Sequence, residues 1–257
     1  ELLDQPFPQY YYENEPQPLE IKDSFSVRNL SFRYSEITPL VLDNISLEIK
    51  KGSRIGLIGS TGSGKSTTLD LIMGLLEPTN GELIVDNQKI DDSLIRAWRQ
   101  TVAHVPQSIF LADTSIAENI AFGVMPEKID MSRVKDAAKK AMISDFIDNR
   151  PNGYQEVVGE RGVRLSGGQR QRIGIARALY KKANIIVFDE ATSALDNETE
   201  KVVMDAIRNL GQELTLIIVA HRLTTLESCT HIIELDQGKI LRVGSYEEII
   251  NQNKTIT

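Results

Sequence analysis

Three short apolar runs mark candidate buried strands along this chain. The first lies within Ser53–Gly59, and the other two are Ile185–Phe188 and Leu214–Val219. Uninterrupted apolar runs of this length are typical of strands that are covered on both faces of a sheet. We therefore predict a largely parallel sheet that contains these three segments.

Other segments have the pattern of an antiparallel edge. Strands of this edge are predicted at Phe25–Tyr34, Leu42–Ile49 and Gly81–Val85. A hairpin is predicted from His231–Leu235 and Lys239–Val243, because Asp236-Gln237-Gly238 between them has the composition of a tight turn.

Helical periodicity follows the first two apolar runs and also fills the segment from about 109 to 164. Apolar residues recur every three or four positions in four places, which are Leu69–Leu76, Val134–Met142, Arg170–Leu179 and Val202–Leu210. A last helix is predicted at Tyr246–Asn251. Strands that alternate with helices favour an α/β fold.

A glycine-rich loop lies between the first buried strand and the helix that follows it. It fits the phosphate-loop spacing G-x-x-x-x-G-K-[ST] and reads Gly59-Ser60-Thr61-Gly62-Ser63-Gly64-Lys65-Ser66. Glycines let successive N–H groups point at phosphate oxygens, and Lys65 supplies a positive charge. Ser66 offers a hydroxyl to Mg²⁺. A flexible linker would not require Lys-Ser at this register.

Two carboxylates follow the apolar run Ile185–Phe188. Asp189 and Glu190 would stand at the carboxyl end of a buried parallel strand, where ligands bind in open α/β sheets. Asp189 is a candidate Mg²⁺ ligand, and Glu190 would orient and polarise an attacking water. An acidic start to the next loop is the alternative interpretation.

A second candidate anion site has the sequence Leu165-Ser166-Gly167-Gly168-Gln169. A helix is predicted to follow it, and a bare helix N-terminus behind a Ser-Gly-Gly turn attracts anions. An ordinary N-capped helix after a tight turn would have the same sequence.

The phosphate loop, this pentapeptide and the strand ending in Asp189-Glu190, in that order, resemble the nucleotide-binding domain of ATP-binding cassette (ABC) proteins. The resemblance extends from about Phe25 to Asn251 and implies a P-loop NTPase core that binds and hydrolyses ATP with Mg²⁺. It adds Thr67 to the phosphate contacts and assigns the helix-rich segment of about 109–164 to the family's inserted helical subdomain. It also implies a head-to-tail dimer in which Ser166, Gly167, Gly168 and Gln169 contact the ATP held by the other copy.

Four further residues match smaller motifs of this family. The resemblance assigns Tyr34 to adenine stacking, Gln107 to Mg²⁺ and the attacking water, Asp196 to the dimer interface and His221 to the γ-phosphate. Taken alone, Tyr34 would be a strand aromatic, Asp196 a helix N-cap and His221 a structural histidine. His104 has no counterpart in the family's motifs, and we interpret it as structural.

Other features favour the exporter or flippase branch of the family. Glu1–Glu20 is rich in proline and lacks Lys and Arg, which predicts an extended linker or edge strand. The resemblance to exporters implies that this linker comes from an upstream membrane domain and that the nucleotide-binding domain covers residues 21–257, whereas a processed or tagged soluble protein is the alternative interpretation. Val158–Gly162 resembles the exporter loop in which a glutamate, here Glu160, contacts the membrane domain. The apolar Ser108–Leu111 segment would border the same contact. We therefore expect the region from Gln107 to Glu160 to meet the chain's own transmembrane domain at the cytoplasmic face of a membrane.

Composition limits the alternatives. The formal net charge of −7 argues against a nucleic-acid surface, and no apolar run approaches the ~20 residues of a membrane span. A soluble ABC ATPase acting on nucleic acid and an importer ATPase subunit remain the alternative interpretations. The resemblance leaves the cargo open among lipids, lipid-linked sugars, peptides and drugs.

Overall fold

The computed structural model describes residues 16–193, 195–220 and 222–249. The α-helices that lie wholly within these ranges are α1 (Lys65–Ile72), α2 (Ile95–Thr101), α3 (Ile116–Ile120), α4 (Met131–Lys140), α5 (Ser144–Asp148), α6 (Gly167–Lys181) and α7 (Asn197–Arg208). The strands are β1 (Ser24–Phe32), β2 (Leu42–Lys50), β3 (Arg54–Gly59), β4 (Asn80–Val85), β5 (Gln88–Lys89), β6 (Val102–Val105), β7 (Ile185–Asp189), β8 (Thr215–Val219), β9 (His231–Asp236) and β10 (Lys239–Gly244). The α/β fold class is confirmed.

Within the described ranges, the larger sheet has six strands in the order β10-β9-β3-β8-β7-β6. All neighbouring pairs from β9 to β6 are parallel, and only β10 runs antiparallel, as the second strand of the predicted hairpin. The three predicted buried strands are β3, β7 and β8, which lie side by side. Strand β6 was missed, because it is only four residues long and His104 interrupts its apolar pattern.

The smaller sheet is antiparallel, with the order β2-β1-β4-β5. It contains the three predicted edge strands, extended by the two-residue β5. The turn between β9 and β10 joins the two sheets, since Asp43 N–H donates to the Gly238 carbonyl at 2.9 Å and Lys239 pairs with Asp43 at 2.9 Å.

Alternating side chains of the larger sheet enter two separate hydrophobic cores. On β7, Ile186 and Phe188 face α3, α4, α6 and α7, whereas Ile185 and Val187 face α1, α2 and the smaller sheet. Because side chains alternate along a strand, Asp189 falls on the same face as Val187. The sheet therefore directs Asp189 towards α1, which begins at the glycine-rich loop.

Some element boundaries differ from the prediction. Helix α1 ends at Ile72 instead of Leu76, because Gly74 has a φ of +68°, the left-handed conformation that ends many helices. Position 74 has no room for a side chain, since a Cβ there would lie 2.6 Å from Ile95 Cδ1. Helix α6 begins at Gly167, three residues before the predicted start. Residues 246–249 are helical, and the rest of the predicted Tyr246–Asn251 helix lies outside the described residues.

Most of the predicted linker also lies outside the described residues, which begin at Pro16. Next to its end, the Leu19 N–H donates to Thr101 Oγ1 at 2.8 Å, so this part of the chain runs along the end of α2. Within the described part of the chain, none of the helices has the length and apolarity that crossing a membrane requires.

Candidate functional site

The glycine-rich loop connects β3 to α1 and is surrounded by closely packed backbone. A Cβ on Gly59 would lie 2.2 Å from the Leu235 carbonyl oxygen, and one on Gly64 would lie 2.5 Å from Leu42 Cδ2. Both residues also have positive φ, at +148° and +102°. Glycine is therefore required at both positions for the loop to curl over the start of α1.

Lys65 and Ser63 make the interior of this loop suitable for an anion. The buried Lys65 ammonium donates to the carbonyl oxygens of Gly59 at 2.9 Å and Ser60 at 3.0 Å. The Ser63 hydroxyl is also buried and has no hydrogen-bond partner within the described part of the chain. Buried polar atoms without partners are rare in folded proteins, and an anion bound in this loop would accept the hydrogen bond that the Ser63 hydroxyl does not make. The loop thus fits a phosphate group.

Tyr34 presents an exposed ring beside the first turn of α1. Its side chain is 62% exposed, although the hydroxyl lies 3.2 Å from Thr67 Oγ1. The ring also packs edge-on against Phe32, with centroids 4.9 Å apart. Two anchors thus hold an aromatic face in solvent close to the glycine-rich loop, as a purine platform would require.

Asp189 ends β7, and Glu190 follows it in a strained conformation. Glu190 has a φ of +50°, which is uncommon for a residue other than glycine, and its N–H donates to the Val219 carbonyl at 3.1 Å. The end of β8 thus fixes the Glu190 backbone. Such strain persists only where the surrounding structure enforces it, and it is concentrated at functional sites.

Asp189 lies in a cluster of interacting charges on the α1 side of the sheet. Burial raises the pKa of Asp189, and the charges of Glu190 and Asp70 raise it further, whereas His104 and Lys65 oppose this change. Burial also lowers the pKa of His104, against the attraction of Asp189 and Asp70. His104, which the sequence offered only as a structural residue, is thus an electrostatic neighbour of the candidate metal ligand.

Gln107 lies just beyond β6, and the pairing of β6 with β7 brings it close to the loop that follows β7. Its Nε2 donates to Ser193 Oγ at 2.9 Å. The preceding Pro106 carbonyl accepts a hydrogen bond from Gln171 Nε2 of α6 at 3.1 Å. The Gln107 loop is therefore attached both to the loop after β7 and to α6.

Ser166 and Gln169 cap helix α6. Ser166 Oγ accepts from the Gln169 N–H at 3.3 Å, and Gln169 Oε1 accepts from the Ser166 N–H at 2.9 Å. This is a capping box, so the N-cap interpretation describes the local geometry. Ser166 remains exposed, whereas Gly168 is buried within its own chain.

Helix α7 begins beside Ser166–Gln169, since Leu195 and Thr199 lie next to Gly167 and Gly168. Asp196 caps it by accepting from the Thr199 N–H at 3.0 Å, as the alternative interpretation expected. The backbone and side-chain hydrogen bonds from Thr199 lower the pKa of Asp196.

Glu200, in the first turn of α7, was not identified from the sequence. Its carboxylate accepts hydrogen bonds from Arg222 and from the hydroxyls of Thr192 and Thr225, the latter two at 3.2 Å. It therefore ties the loop after β7 to the loop after β8. Its place one turn after the predicted cap Asp196 was the only available signal.

The arginines of α6 bind main-chain carbonyls. Arg177 donates to the carbonyls of Asn119 and Phe110 at 3.0 Å and lies 4.5 Å from the centroid of the Phe122 ring. Burial lowers the pKa of Arg177 to about 10. Its role is to attach α6 to the loops that carry Phe110 and Phe122, which are 60% and 51% exposed.

The structure thus separates the predicted residues into two groups. The glycine-rich loop, Asp189 and Glu190 stand at the carboxyl edge of the larger sheet, and Tyr34 flanks the loop. Ser166–Gln169 pack instead against the start of α7. Glu160 opens a short 3₁₀ turn, Glu160–Gly162, and His221 lies outside the described residues.

Comparison with known proteins gives close relatives over nearly the whole chain. An ATP-dependent lipid A-core flippase of Cupriavidus metallidurans is 40% identical over 98% of the chain. The leukotoxin export ATP-binding protein LtxB of Aggregatibacter actinomycetemcomitans is 42% identical over 91%. The chain spans 42% of the first relative and 33% of the second.

A solved structure described as a bacterial Atm1-family ABC exporter with ATP bound has the same fold. It is 36% identical, with a TM-score of 0.83 over 92% of this chain and 41% of the exporter chain. The family model described as ABC transporter matches residues 42–193, which is more than half of the chain. This match confirms the resemblance drawn from the motifs: the chain belongs to the ABC transporter family and is an ATP-binding domain of that family.

Proposed function

We propose that this chain is the ATP-hydrolysing domain of an ABC exporter or flippase. The observation that carries the proposal is the common position of the Lys65 loop and Asp189-Glu190 at the carboxyl edge of one parallel sheet. The named relatives are a flippase, a toxin exporter and an Atm1-family exporter. They favour transport over the nucleic-acid and importer alternatives.

The residues of this chain take distinct roles towards ATP. The loop from Gly59 to Thr67 cradles the phosphates, with Lys65 paired to their charge, and Tyr34 stacks on the adenine. Ser66, Gln107 and Asp189 offer the hydroxyl, amide and carboxylate oxygens that Mg²⁺ prefers, and the bound ion would neutralise phosphate charge.

Glu190 would orient the attacking water and accept its proton, an effect worth about 10²–10⁴-fold in rate. The Val219 carbonyl holds the Glu190 backbone, which fixes the direction in which the carboxylate leaves the strand end. His221 stays a proposed γ-phosphate contact on the strength of the sequence motif alone.

The segment Ser166–Gln169 would act on a nucleotide bound to a second copy, together with Asp196. Two observations support this assignment. Ser166 is exposed, and the segment packs on Leu195 and Thr199 of its own chain, next to Asp196. One copy would therefore hold half of each site, and two copies would enclose two nucleotides.

An apolar surface between Gln107 and Glu160 would receive the transmembrane domain. Phe110, Phe122 and Met125 are each more than half exposed. Arg177 donates to the Phe110 carbonyl and lies over the Phe122 ring. ATP-driven closure of the dimer would be transmitted through this surface at the cytoplasmic face of the membrane. The relatives are named for a lipid A-core and a leukotoxin, so their names support no single cargo.

Glu190→Gln tests the hydrolytic role and the dimer together. With Mg-ATP, this variant should bind ATP without hydrolysing it and should sediment as a dimer. The wild type should hydrolyse ATP and remain mostly monomeric. Ser166→Ala in the same background should leave the ATP affinity of the monomer unchanged and weaken the dimer. A large loss of monomer affinity in Ser166→Ala would put Ser166 in its own chain's pocket and contradict the composite site.

A further inference from the structure

The first turn of α7 restricts which residue the chain accepts at position 168. A Cβ built on Gly168 would lie 2.0 Å from Thr199 Cγ2, but 3.5 Å from Thr199 Cβ and 4.0 Å from its Oγ1. The last two distances are ordinary contacts, so one methyl group takes the space that a side chain at 168 would need. Gly168 is buried in helix α6 and is not among the glycines with positive φ, so this requirement comes from packing and not from backbone strain.

The polar side of the same threonine is engaged with Asp196. Thr199 donates its N–H to Asp196 Oδ1 at 3.0 Å and its hydroxyl to Oδ2 at 2.7 Å. A β-branched side chain has few accessible χ1 rotamers. The hydroxyl bond to Asp196 therefore fixes the direction of the methyl group, which points at Gly168.

The neighbouring glycine has a looser contact. A Cβ on Gly167 would lie 3.1 Å from Leu195 Cδ2, the far end of a flexible side chain. Leu195 can yield by a few tenths of an ångström, whereas the Thr199 methyl is held by two hydrogen bonds on the same residue. The contact between Gly168 and Thr199 thus fixes the position of the start of α6 relative to the start of α7.

We propose that Thr199 is a positioning residue that holds Ser166–Gln169 and Asp196 in one fixed arrangement, so that both are presented together to the partner's nucleotide. This inference rests on the composite site proposed above. It also gives the second glycine of the pentapeptide a reason within its own chain, since Gly168 must leave room for the Thr199 methyl.

The test is a rescue experiment in the Glu190→Gln background, which retains ATP. The readout is the Mg-ATP-dependent dimer association constant from analytical ultracentrifugation. Gly168→Ala should lower this association constant about tenfold or more, because the added methyl overpacks position 168. Thr199→Ser keeps the hydroxyl and removes the methyl. The association constant of the double variant Gly168→Ala with Thr199→Ser should therefore return to within about threefold of the value for the Glu190→Gln parent.

Two further measurements separate positioning from a loss of folding. The ATP affinity of the monomer should stay within about twofold in every variant, because the altered residues lie outside the chain's own phosphate loop. Thr199→Ser should not rescue Gly167→Ala, whose added methyl faces Leu195 instead. Circular dichroism melts identify any variant that has lost its fold.

The outcomes distinguish this inference from the function on which it rests. If the Glu190→Gln parent does not dimerise with Mg-ATP, the composite site itself is wrong. If the parent dimerises but the folded double variant is as weak as Gly168→Ala, Thr199 does not set position 168 and the inference fails. Equal rescue of Gly167→Ala would also overturn it, because the effect would then be unspecific.

Discussion

Gln107 Nε2 donates to Ser193 Oγ at 2.9 Å, across 86 positions of sequence. The bond links the loop after β6 to the loop after β7, which also carries Glu190. Ser193 is tied back to that residue, since its N–H donates to the Glu190 carbonyl at 3.0 Å. The proposed metal contact Gln107 and the proposed base Glu190 are therefore held at a common anchor.

Ser193→Ala should slow ATP hydrolysis while leaving ATP affinity unchanged. A net hydrogen bond of about 0.5–1.5 kcal/mol corresponds to roughly a 2–12-fold loss in kcat if the bond positions Gln107 for the reaction. Steady-state hydrolysis measures this, with the exposed neighbour Ser108→Ala as the control. In a double-mutant cycle, Ser193→Ala should cost nothing further in a Gln107→Ala background, so additive losses would contradict the link.

Tyr34→Ala should weaken ATP binding, whereas Tyr34→Phe should not. Removal of a stacking ring costs about 1–3 kcal/mol per base, or roughly 5–150-fold in affinity. Phenylalanine keeps the ring and loses only the contact with Thr67. Titration with a fluorescent ATP analogue gives both affinities. If Phe is as weak as Ala, the hydroxyl contact is the important feature and the stacking role is wrong.

The sequence predicted the parallel strands β3, β7 and β8 because each is a continuous apolar run, which is the local signature of a strand buried on both faces. It missed β6, whose four residues become a strand only through pairing with β7. The same limit applies to the site. Residues defined by a motif, such as Lys65 and Asp189, are visible in the chain itself.

Thr199, Glu200 and His104 are different, since their contacts depend on how α7 and β6 pack against distant elements. Thr199 faces Gly168 from a helix 31 positions later in the chain, a relationship that neither periodicity nor capping rules encode. Residues of this kind become visible only once tertiary packing is known.

Lys65→Met should abolish stabilisation by nucleotide without unfolding the protein. The ammonium is held by two carbonyls of its own loop, and methionine has a similar length without the charge. At 100 times the Kd, ATP should stabilise the wild type by about 2.7 kcal/mol, and the variant by much less at the same concentration. Thermal melts with and without Mg-ATP measure this. Exposed Lys51→Met should retain the full shift, and a full shift in Lys65→Met would exclude Lys65 from phosphate binding.

Asp86 connects the start of β1 to the end of β4 through its carboxylate. It accepts main-chain N–H bonds from Lys22 at 2.6 Å, Asp23 at 2.8 Å and Ser24 at 3.0 Å. Burial acts to raise the pKa of Asp86, but these three donors and the charge of Lys22 lower it overall. A carboxylate with a lowered folded-state pKa stabilises the protein above its unfolded pKa of about 3.9 and loses that contribution as the pH falls through the folded value.

Asp86→Asn should therefore destabilise the protein near neutral pH and progressively less in acid. Asparagine tolerates the positive φ of +46° at this position and keeps one acceptor oxygen, so the change removes charge without adding backbone strain. Because the site is largely solvated, we expect a loss of about 1 kcal/mol in the free energy of unfolding at pH 7. Urea denaturation of both proteins should give a constant difference above pH ~5 that narrows below pH ~4. The exposed Asp92→Asn serves as a control for net charge. A difference for Asp86→Asn that stays the same across the acid range would show that the hydrogen bonds do not depend on the carboxylate charge.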